Sequence, residues 1–206
     1  MKILYYTGWT FTRVISKLIF RIRTYGQEHF PAEGGFILAT NHISNFDPPL
    51  VGSWAPRQCY FMAKRELFRN PLFGEIIRRT NAMPVSRGGV DREAIRTAVK
   101  VIQDGYGLVM FPEGTRSKTG EFLSPKAGLG MIARRAGCPI LPGYLQGSDR
   151  LADSFWGRRP MRLLYGEMFP ADWVKAQSAD KEGYQLISRT VMDRIGELRE
   201  QLAQLK

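Results

Sequence analysis

Short apolar segments alternate along this chain with segments in which apolar residues recur at helical spacing. We predict strands at the short apolar segments, which are 36–39, 59–63, 82–85, 108–111, 140–145 and 161–165. The helical spacing predicts helices over 91–103, 124–136 and 181–205. Because strands that alternate with helices are typical of α/β proteins, we predict a single α/β domain whose central, mostly buried sheet is flanked by helices.

The N-terminal segment, up to about residue 24, has the pattern of an amphipathic helix. Arg13, Lys17 and Arg21 lie four residues apart on one face, and Trp9 adds an aromatic ring. The apolar face consists of Phe11, Val14, Ile15, Leu18, Ile19 and Ile22. Such a helix suits the surface of an anionic bilayer, although its apolar face could also pack on the protein's own core. We predict that residues 1–26 form a membrane-docking element.

A membrane-spanning helix is not predicted, because no run of about 18 uncharged apolar residues occurs. Basic residues interrupt the N-terminal apolar stretch, which argues against a secretory signal. Cys59 and Cys138 are far apart, and neither has a second Cys or a His at metal-ligand spacing. We therefore expect two reduced thiols, no metal site, and a peripheral or monotopic protein on the cytoplasmic face of the inner membrane.

The overall charge indicates an anionic partner. Among 206 residues, 30 Lys and Arg stand against 19 Asp and Glu, which gives a formal charge of +11. Lipid headgroups, phosphorylated small molecules and nucleic acid would all be attracted. The acid-free basic stretch is confined to the N-terminal helix, and no nucleic-acid-binding module is recognisable, so we do not expect nucleic acid as a partner.

A histidine and an aspartate follow the strand predicted at 36–39. His42 comes just after the strand, and Asp47, five residues on, can fold back to pair with its ring. Such a pair suits acyl transfer to a hydroxyl, since an imidazole can take the hydroxyl proton and a carboxylate can fix its tautomer. No Gly-x-Ser-x-Gly segment supplies a nucleophile, so direct attack by the acceptor is simpler. Taken alone, the pair could also serve as a turn or cap.

Charged residues also follow three other predicted strands. Glu113, Gly114 and Arg116 follow one strand, Lys64 a second, and Arg87 a third. An arginine can hold a phosphate through two hydrogen bonds, and ligands of open α/β sheets bind at the carboxyl ends of the strands. These residues therefore predict a site for a phosphorylated acceptor, although each alone could be a solvated surface charge.

Four segments, in this order, resemble the motifs of the glycerolipid acyltransferases, specifically the 1-acyl-glycerol-3-phosphate acyltransferases. They are Asn-His-x-Ser-x-x-Asp-Pro at 41–48, the stretch 63–74 closing at 87–88, Phe-Pro-Glu-Gly-Thr-Arg-Ser at 111–117, and the Pro-containing strand at 141–147. The likeness spans roughly residues 30–165. The fourth segment departs from the family pattern at Gly143, Tyr144 and Gln146, which leaves acceptor and acyl-chain preference open.

The resemblance implies a role for each candidate residue. His42 would be the general base and Asp47 its partner. Lys64 and Arg116 would hold the acceptor phosphate, and the remaining residues would shape the acceptor site, namely Glu113, Gly114, Thr115 and Arg87. The donor would be acyl-CoA or acyl carrier protein, the acceptor lysophosphatidic acid and the product phosphatidic acid, with no metal or other cofactor. Residues 27–206 would then form the acyltransferase domain.

Other functions fit parts of the pattern. The acceptor could be a different lysophospholipid or an amino-lipid. Water in place of the acceptor would make the protein a thioester hydrolase, which leaves the cation cluster unexplained. A non-catalytic lipid-binding protein would account for the N-terminal helix and the charge, but not for His42, Asp47 and Glu113.

Overall fold

The computed structural model describes residues 2–86, 91–156, 158 and 161–205. Seven strands of this part of the chain form one sheet in the order β1-β7-β6-β2-β5-β3-β4. All neighbouring strands are parallel except the antiparallel pair β6 and β7. The strands are β1 Arg23–Tyr25, β2 Phe36–Thr40, β3 Cys59–Lys64, β4 Ala82–Val85, β5 Gly107–Met110, β6 Ile140–Gln146 and β7 Arg162–Tyr165.

Helices cover both faces of this sheet. They are α1 Lys2–Leu18, α2 Asp47–Trp54, α3 Pro71–Arg79, α4 Arg92–Gln103, α5 Gly128–Ala136, α6 Leu151–Phe155, α7 Ala171–Ala176 and α8 Lys181–Gln204. Short 3-10 helices lie at Gln27–His29 and Arg65–Phe68. Asp91 and Asp180 cap α4 and α8, because each side chain accepts a hydrogen bond from a backbone N–H of the first turn.

Strand β2 shows why the central strands are continuously apolar. Phe36 and Leu38 pack with α2 on one side of the sheet. Ile37 and Ala39 point to the other side, into the core formed with α4, α5 and α8. A strand covered on both faces needs apolar residues at every position. The predicted α/β domain with a mostly buried sheet flanked by helices is confirmed.

The N-terminal helix is shorter than predicted. Helix α1 ends at Leu18, and Arg21 adopts a left-handed backbone conformation with φ 51°, which a continuous α-helix does not permit. Ile22 is then fully buried in the core, and β1 follows. Packing on the protein's own core does not account for Phe11, Val14 and Leu18, which stay exposed, and their contact with a membrane stays a prediction.

Several short elements were not predicted. Helices α2, α3, α6 and α7 and strand β1 each have fewer than ten residues, too few to show a periodic pattern. The predicted helix at 124–136 begins at Gly128 instead, because the backbone N–H of Lys126 donates to the carbonyl of Pro112 in the preceding loop. No described helix combines the length and the apolar character needed to cross a membrane.

The contact between α5 and α8 depends on one glycine, which gives a testable prediction. A Cβ on Gly130 would overlap the backbone carbonyl of Tyr184 at the start of α8, whereas a Cβ on Gly128 would meet nothing within 4 Å. We expect Gly130→Ala to lower the free energy of unfolding by about 2 kcal/mol, since a backbone contact cannot move aside. Gly128→Ala should leave it unchanged or raise it by about 0.5 kcal/mol. Urea unfolding checks both, and equal midpoints for the two variants would contradict this packing.

Candidate active site

The predicted histidine and aspartate meet at the carboxyl end of β2. Nδ1 of His42 lies 2.8 Å from Oδ2 of Asp47. Asp47 is the first residue of α2 and is completely buried, while the His42 side chain keeps 12% of its surface exposed. The five-residue spacing thus places an inaccessible carboxylate behind an imidazole that solvent can reach.

Donors surround the Asp47 carboxylate. Oδ2 also accepts hydrogen bonds from the backbone N–H groups of Ile43 and Ser44, each at 2.7 Å. Oδ1 accepts one from the Ser148 hydroxyl at 2.6 Å. Because the carboxylate acts only as an acceptor here, Nδ1 of His42 is the donor of this hydrogen bond, and in the neutral form of the ring Nε2 is then the nitrogen without a proton.

Three further contacts hold His42 in place. Its ring stacks on Phe111, with the ring centroids 4.0 Å apart. Its backbone N–H donates to Oε1 of Glu113, and its carbonyl accepts from the N–H of Ser117. Within the described chain, Nε2 has no hydrogen-bond partner, and the residue lines an open cleft. The free nitrogen is therefore available to a substrate.

Glu113 links two loops. Its Oε2 accepts from the backbone N–H of Leu123 at 2.9 Å, so each of its carboxyl oxygens holds a backbone donor. Burial raises the pKa of this carboxyl above its ordinary value, against the opposing effect of the two N–H donors. The structure thus gives Glu113 a positioning role for the His42 loop, and its predicted contact with an acceptor stays a prediction.

The cleft beside His42 has a volume of about 720 Å³. The cleft is lined by His42, Gly114, Thr115 and Lys126. Asp91 adds a negatively charged carboxylate to the same wall. Much of its wall is apolar, including Met62, Ile95, Leu129, Met131 and Ile132. An elongated substrate with a polar head and a hydrocarbon tail matches this combination of groups.

Two of the predicted cations lie next to residues that line this cleft, without lining it themselves. Arg116 is exposed and directly follows Thr115, and Lys64 is exposed and pairs in register with Val85, which lines the cleft. Neither side chain has a hydrogen bond or ion pair with any described residue, so both are free to bind an anion. The predicted site residue Arg87 lies outside the described residues.

Two residues of the site were not predicted. Lys126 reaches the cleft because its side chain crosses Gly114, with Cδ 2.9 Å from the position a Cβ would take there. Its place in Ser124-Pro125-Lys126 suggested only a helix start. Ser148 reaches Asp47 from 101 residues away in sequence, a contact that no local pattern indicates. In the described part of the chain, no three His, Cys, Asp or Glu residues cluster as metal ligands.

Comparison with known proteins gives matches to one family. A family model described as "Acyltransferase" matches residues 21–146. A 1-acyl-sn-glycerol-3-phosphate acyltransferase of Bacillus subtilis is 32% identical over 195 residues, which are 94% of this chain and 96% of that protein. The enzyme of the same name from Streptococcus pneumoniae is 29% identical, over 82% of this chain and 62% of that protein.

A solved structure agrees with the sequence comparisons. The crystal structure of the 1-acyl-sn-glycerophosphate (LPA) acyltransferase PlsC from Thermotoga maritima matches with a TM-score of 0.74 and 28% sequence identity. The match covers 95% of this chain and 79% of that one.

Proposed function

This chain belongs to the acyltransferase family, and from that premise we propose that it acylates the 2-hydroxyl of 1-acyl-glycerol-3-phosphate to give phosphatidic acid. The 2.8 Å hydrogen bond between His42 and Asp47, which leaves Nε2 free in the cleft, carries the proposal. The names of the relatives and of the solved structure support the acceptor and the product.

The geometry accounts for each proton in the reaction. Nε2 of His42 takes the proton of the 2-hydroxyl while the hydroxyl oxygen attacks the carbonyl carbon of the thioester. The buried Asp47 stabilises the imidazolium that forms. When the tetrahedral intermediate collapses, the carbon–sulfur bond breaks, and the leaving thiolate takes the proton from Nε2. The imidazole is then ready for another acceptor, with no acyl group ever bound to the protein.

Two cations that have no ion-pair partner among the described residues suit the acceptor phosphate. Arg116 can present two N–H groups to the phosphate oxygens, and Lys126 adds an ammonium group inside the cleft. Lys64, at the end of β3, adds a third positive charge at the same edge of the sheet. The glycerol hydroxyl next to a phosphate held here would lie toward His42, and the acyl chain of the acceptor would run along apolar surface.

We expect the loss of Arg116 or of Lys126 to weaken acceptor binding more than it slows the acyl-transfer step. Arg116→Gln and Lys126→Gln should each raise KM for lysophosphatidic acid by about ten- to a hundredfold, since each removes charge-assisted hydrogen bonds. Steady-state kinetics with monoacylglycerol, which has no phosphate, provides the control. A variant that loses as much activity on monoacylglycerol as on lysophosphatidic acid would show that its cation does not bind phosphate.

The acyl donor is proposed to be acyl-CoA or acyl carrier protein, with no metal or other cofactor taking part. The net charge of +11 would attract either donor, since both are anionic. Transfer from each radiolabelled donor to lysophosphatidic acid in detergent micelles tests the proposed function. Labelled phosphatidic acid from at least one donor is expected. Release of labelled fatty acid alone would instead indicate a thioester hydrolase.

We also propose a peripheral location on the cytoplasmic face of the membrane, with residues 1–26 as the membrane-associating element and 27–206 as the acyltransferase domain. Helix α1 is held to the protein by two buried polar contacts. Trp54 Nε1 donates to the Ser16 hydroxyl, and the backbone N–H of Cys59 donates to the Tyr5 hydroxyl. The helix therefore docks through these residues and leaves Phe11 and Leu18, 65% and 73% exposed, for lipid.

A further inference from the structure

A second group of apolar side chains is exposed at α3 and the 3-10 helix before it. We call this group the α3 patch, and it consists of Leu67, Leu72, Phe73 and Ile76. Leu72 is 75% exposed and Ile76 is 47% exposed, although a surface helix normally turns such residues inward. Unlike scattered surface leucines, these side chains lie within ten residues of one another on adjacent short helices.

The packing of α3 fixes this outward orientation. Gly74 is buried, and a Cβ there would lie 2.8 Å from the backbone carbonyl oxygen of Phe68. Only a glycine allows the helix to approach the preceding 3-10 helix so closely. Leu72 and Ile76, which lie four residues apart and so share a helix face, consequently point away from the protein.

Basic residues surround the patch. The segment 64–79 contains five basic residues and two acidic ones. Lys64 and Arg69 are exposed, Arg78 and Arg79 share one carboxylate, that of Glu75, and Arg65 pairs with Asp91 and Glu93 outside the segment. An exposed apolar surface ringed by excess positive charge is complementary to an anionic bilayer, and it would repel a second copy of itself.

The patch also adjoins α1. A Cβ on Gly8 of α1 would lie 3.4 Å from Thr80, the residue that follows α3. Ile3 and Leu4 line a common cavity with Arg78 and Arg79. The exposed apolar residues of α1 and the α3 patch therefore belong to neighbouring helices on one part of the surface.

We propose that the α3 patch is a second membrane contact, which acts with α1 to hold the mouth of the cleft at the surface of an anionic bilayer. The 3-10 helix of the patch directly follows β3, whose carboxyl end is at the edge of the sheet where the cleft opens. Phe46, between His42 and Asp47, is also exposed at this edge. An acceptor could then enter from lipid without crossing water, a consequence that rests on the proposed function.

Vesicle binding by the full chain tests the second contact. The α3 variant carries both Leu72→Gln and Ile76→Gln. Its matched control carries both Leu186→Gln and Leu205→Gln, which replace exposed leucines of α8 and the C-terminal tail. On vesicles of phosphatidylcholine with about 30 mol% phosphatidylglycerol, the α3 variant should bind about tenfold more weakly than wild type. The matched variant should bind as wild type. Equal binding by the α3 variant and wild type, or an equal loss in both variants, would overturn the proposal.

Turnover separates this proposal from the proposed function. In detergent micelles the α3 variant should keep wild-type acylation of lysophosphatidic acid, which also shows that it is folded. On lysophosphatidic acid embedded in vesicles it should be slower by about the same tenfold factor. If wild type shows no acylation in micelles, the proposed function fails, while the vesicle-binding comparison still decides the membrane contact.

A fluorescent label gives an independent measurement at a single position. Cys59 and Cys138 are buried, and burial raises the pKa of each thiol to about 12, so a cysteine introduced at an exposed position reacts selectively. An environment-sensitive dye on Leu72→Cys should shift to shorter wavelength when vesicles are added, and the dye on Leu186→Cys should not. Absence of a shift at position 72 would contradict a lipid contact. So would a concentration-dependent dimer that this substitution abolishes while vesicle binding persists, since the patch would then be a dimer interface.

Discussion

His42→Ala should leave a folded protein that forms phosphatidic acid about a thousand times more slowly than wild type, or not at all. A positioned general base contributes roughly 10²- to 10⁴-fold to such a proton transfer. Asp91 also lines the cleft, but the N–H groups of Ala94 and Ser86 lower the pKa of its carboxyl to about 2, so it is a poor substitute for the imidazole. The alanine removes the ring that stacks on Phe111 but keeps the backbone bonds to Glu113 and Ser117. The loop should therefore stay in place.

The measurement is kcat and KM for lysophosphatidic acid, with thermal unfolding as the test of folding. We expect the loss in kcat, because the proposed role of the ring is to take the hydroxyl proton, whereas the phosphate is proposed to bind Arg116 and Lys126. His42→Ala that retains more than about a tenth of wild-type kcat would remove the imidazole from the mechanism. Arg116→Gln, expected to change KM, provides the contrasting result in the same assay.

Asp47→Asn should have the second largest effect, a fall in kcat of about a thousandfold. An amide carries no charge to stabilise the imidazolium that forms when Nε2 takes the hydroxyl proton. The amide oxygen can still accept from Ile43 and Ser44. The loss of activity should therefore exceed the loss of stability.

Asp47→Ala separates the two roles of this carboxylate. It leaves the part-buried N–H groups of Ile43 and Ser44 and the buried Ser148 hydroxyl without their acceptor. Each such group costs about 1–3 kcal/mol, so unfolding should occur at clearly lower urea than for Asp47→Asn. Wild-type kcat for Asp47→Asn would contradict the assigned role, as would identical stability of the asparagine and alanine variants.

The pairing of His42 with Asp47 could be predicted from the sequence because both residues lie within one local motif. The central strands could be predicted equally well, since a strand buried on both faces is apolar at every position. The link from Ser148 to Asp47 and the position of Lys126 over Gly114 depend on how distant loops fold together, and no spacing indicates them. Glu113 was predicted at the site, yet its hydrogen bonds to the backbone of His42 and Leu123 could be seen only in three dimensions.

Helix α3 shows a different limit of sequence patterns. The sequence did not predict this helix, and the ordinary rule for a surface helix would turn its apolar residues toward the core. The close approach of Gly74 to Phe68 reverses this orientation, and the reversal follows from packing alone. The N-terminal helix was similarly predicted too long, because the left-handed turn at Arg21 gave no signal in the periodicity.

The position of the transferred acyl group tests the central claim most directly. Wild-type protein is incubated with a labelled acyl donor and unlabelled 1-acyl-glycerol-3-phosphate, and the phosphatidic acid is digested with a phospholipase specific for position 2. We predict that the label is released as free fatty acid, because the 2-hydroxyl is the one free hydroxyl of this acceptor and the proposed reaction acylates it. Label that appears only as fatty acid before digestion, with no phosphatidic acid formed, would contradict the account.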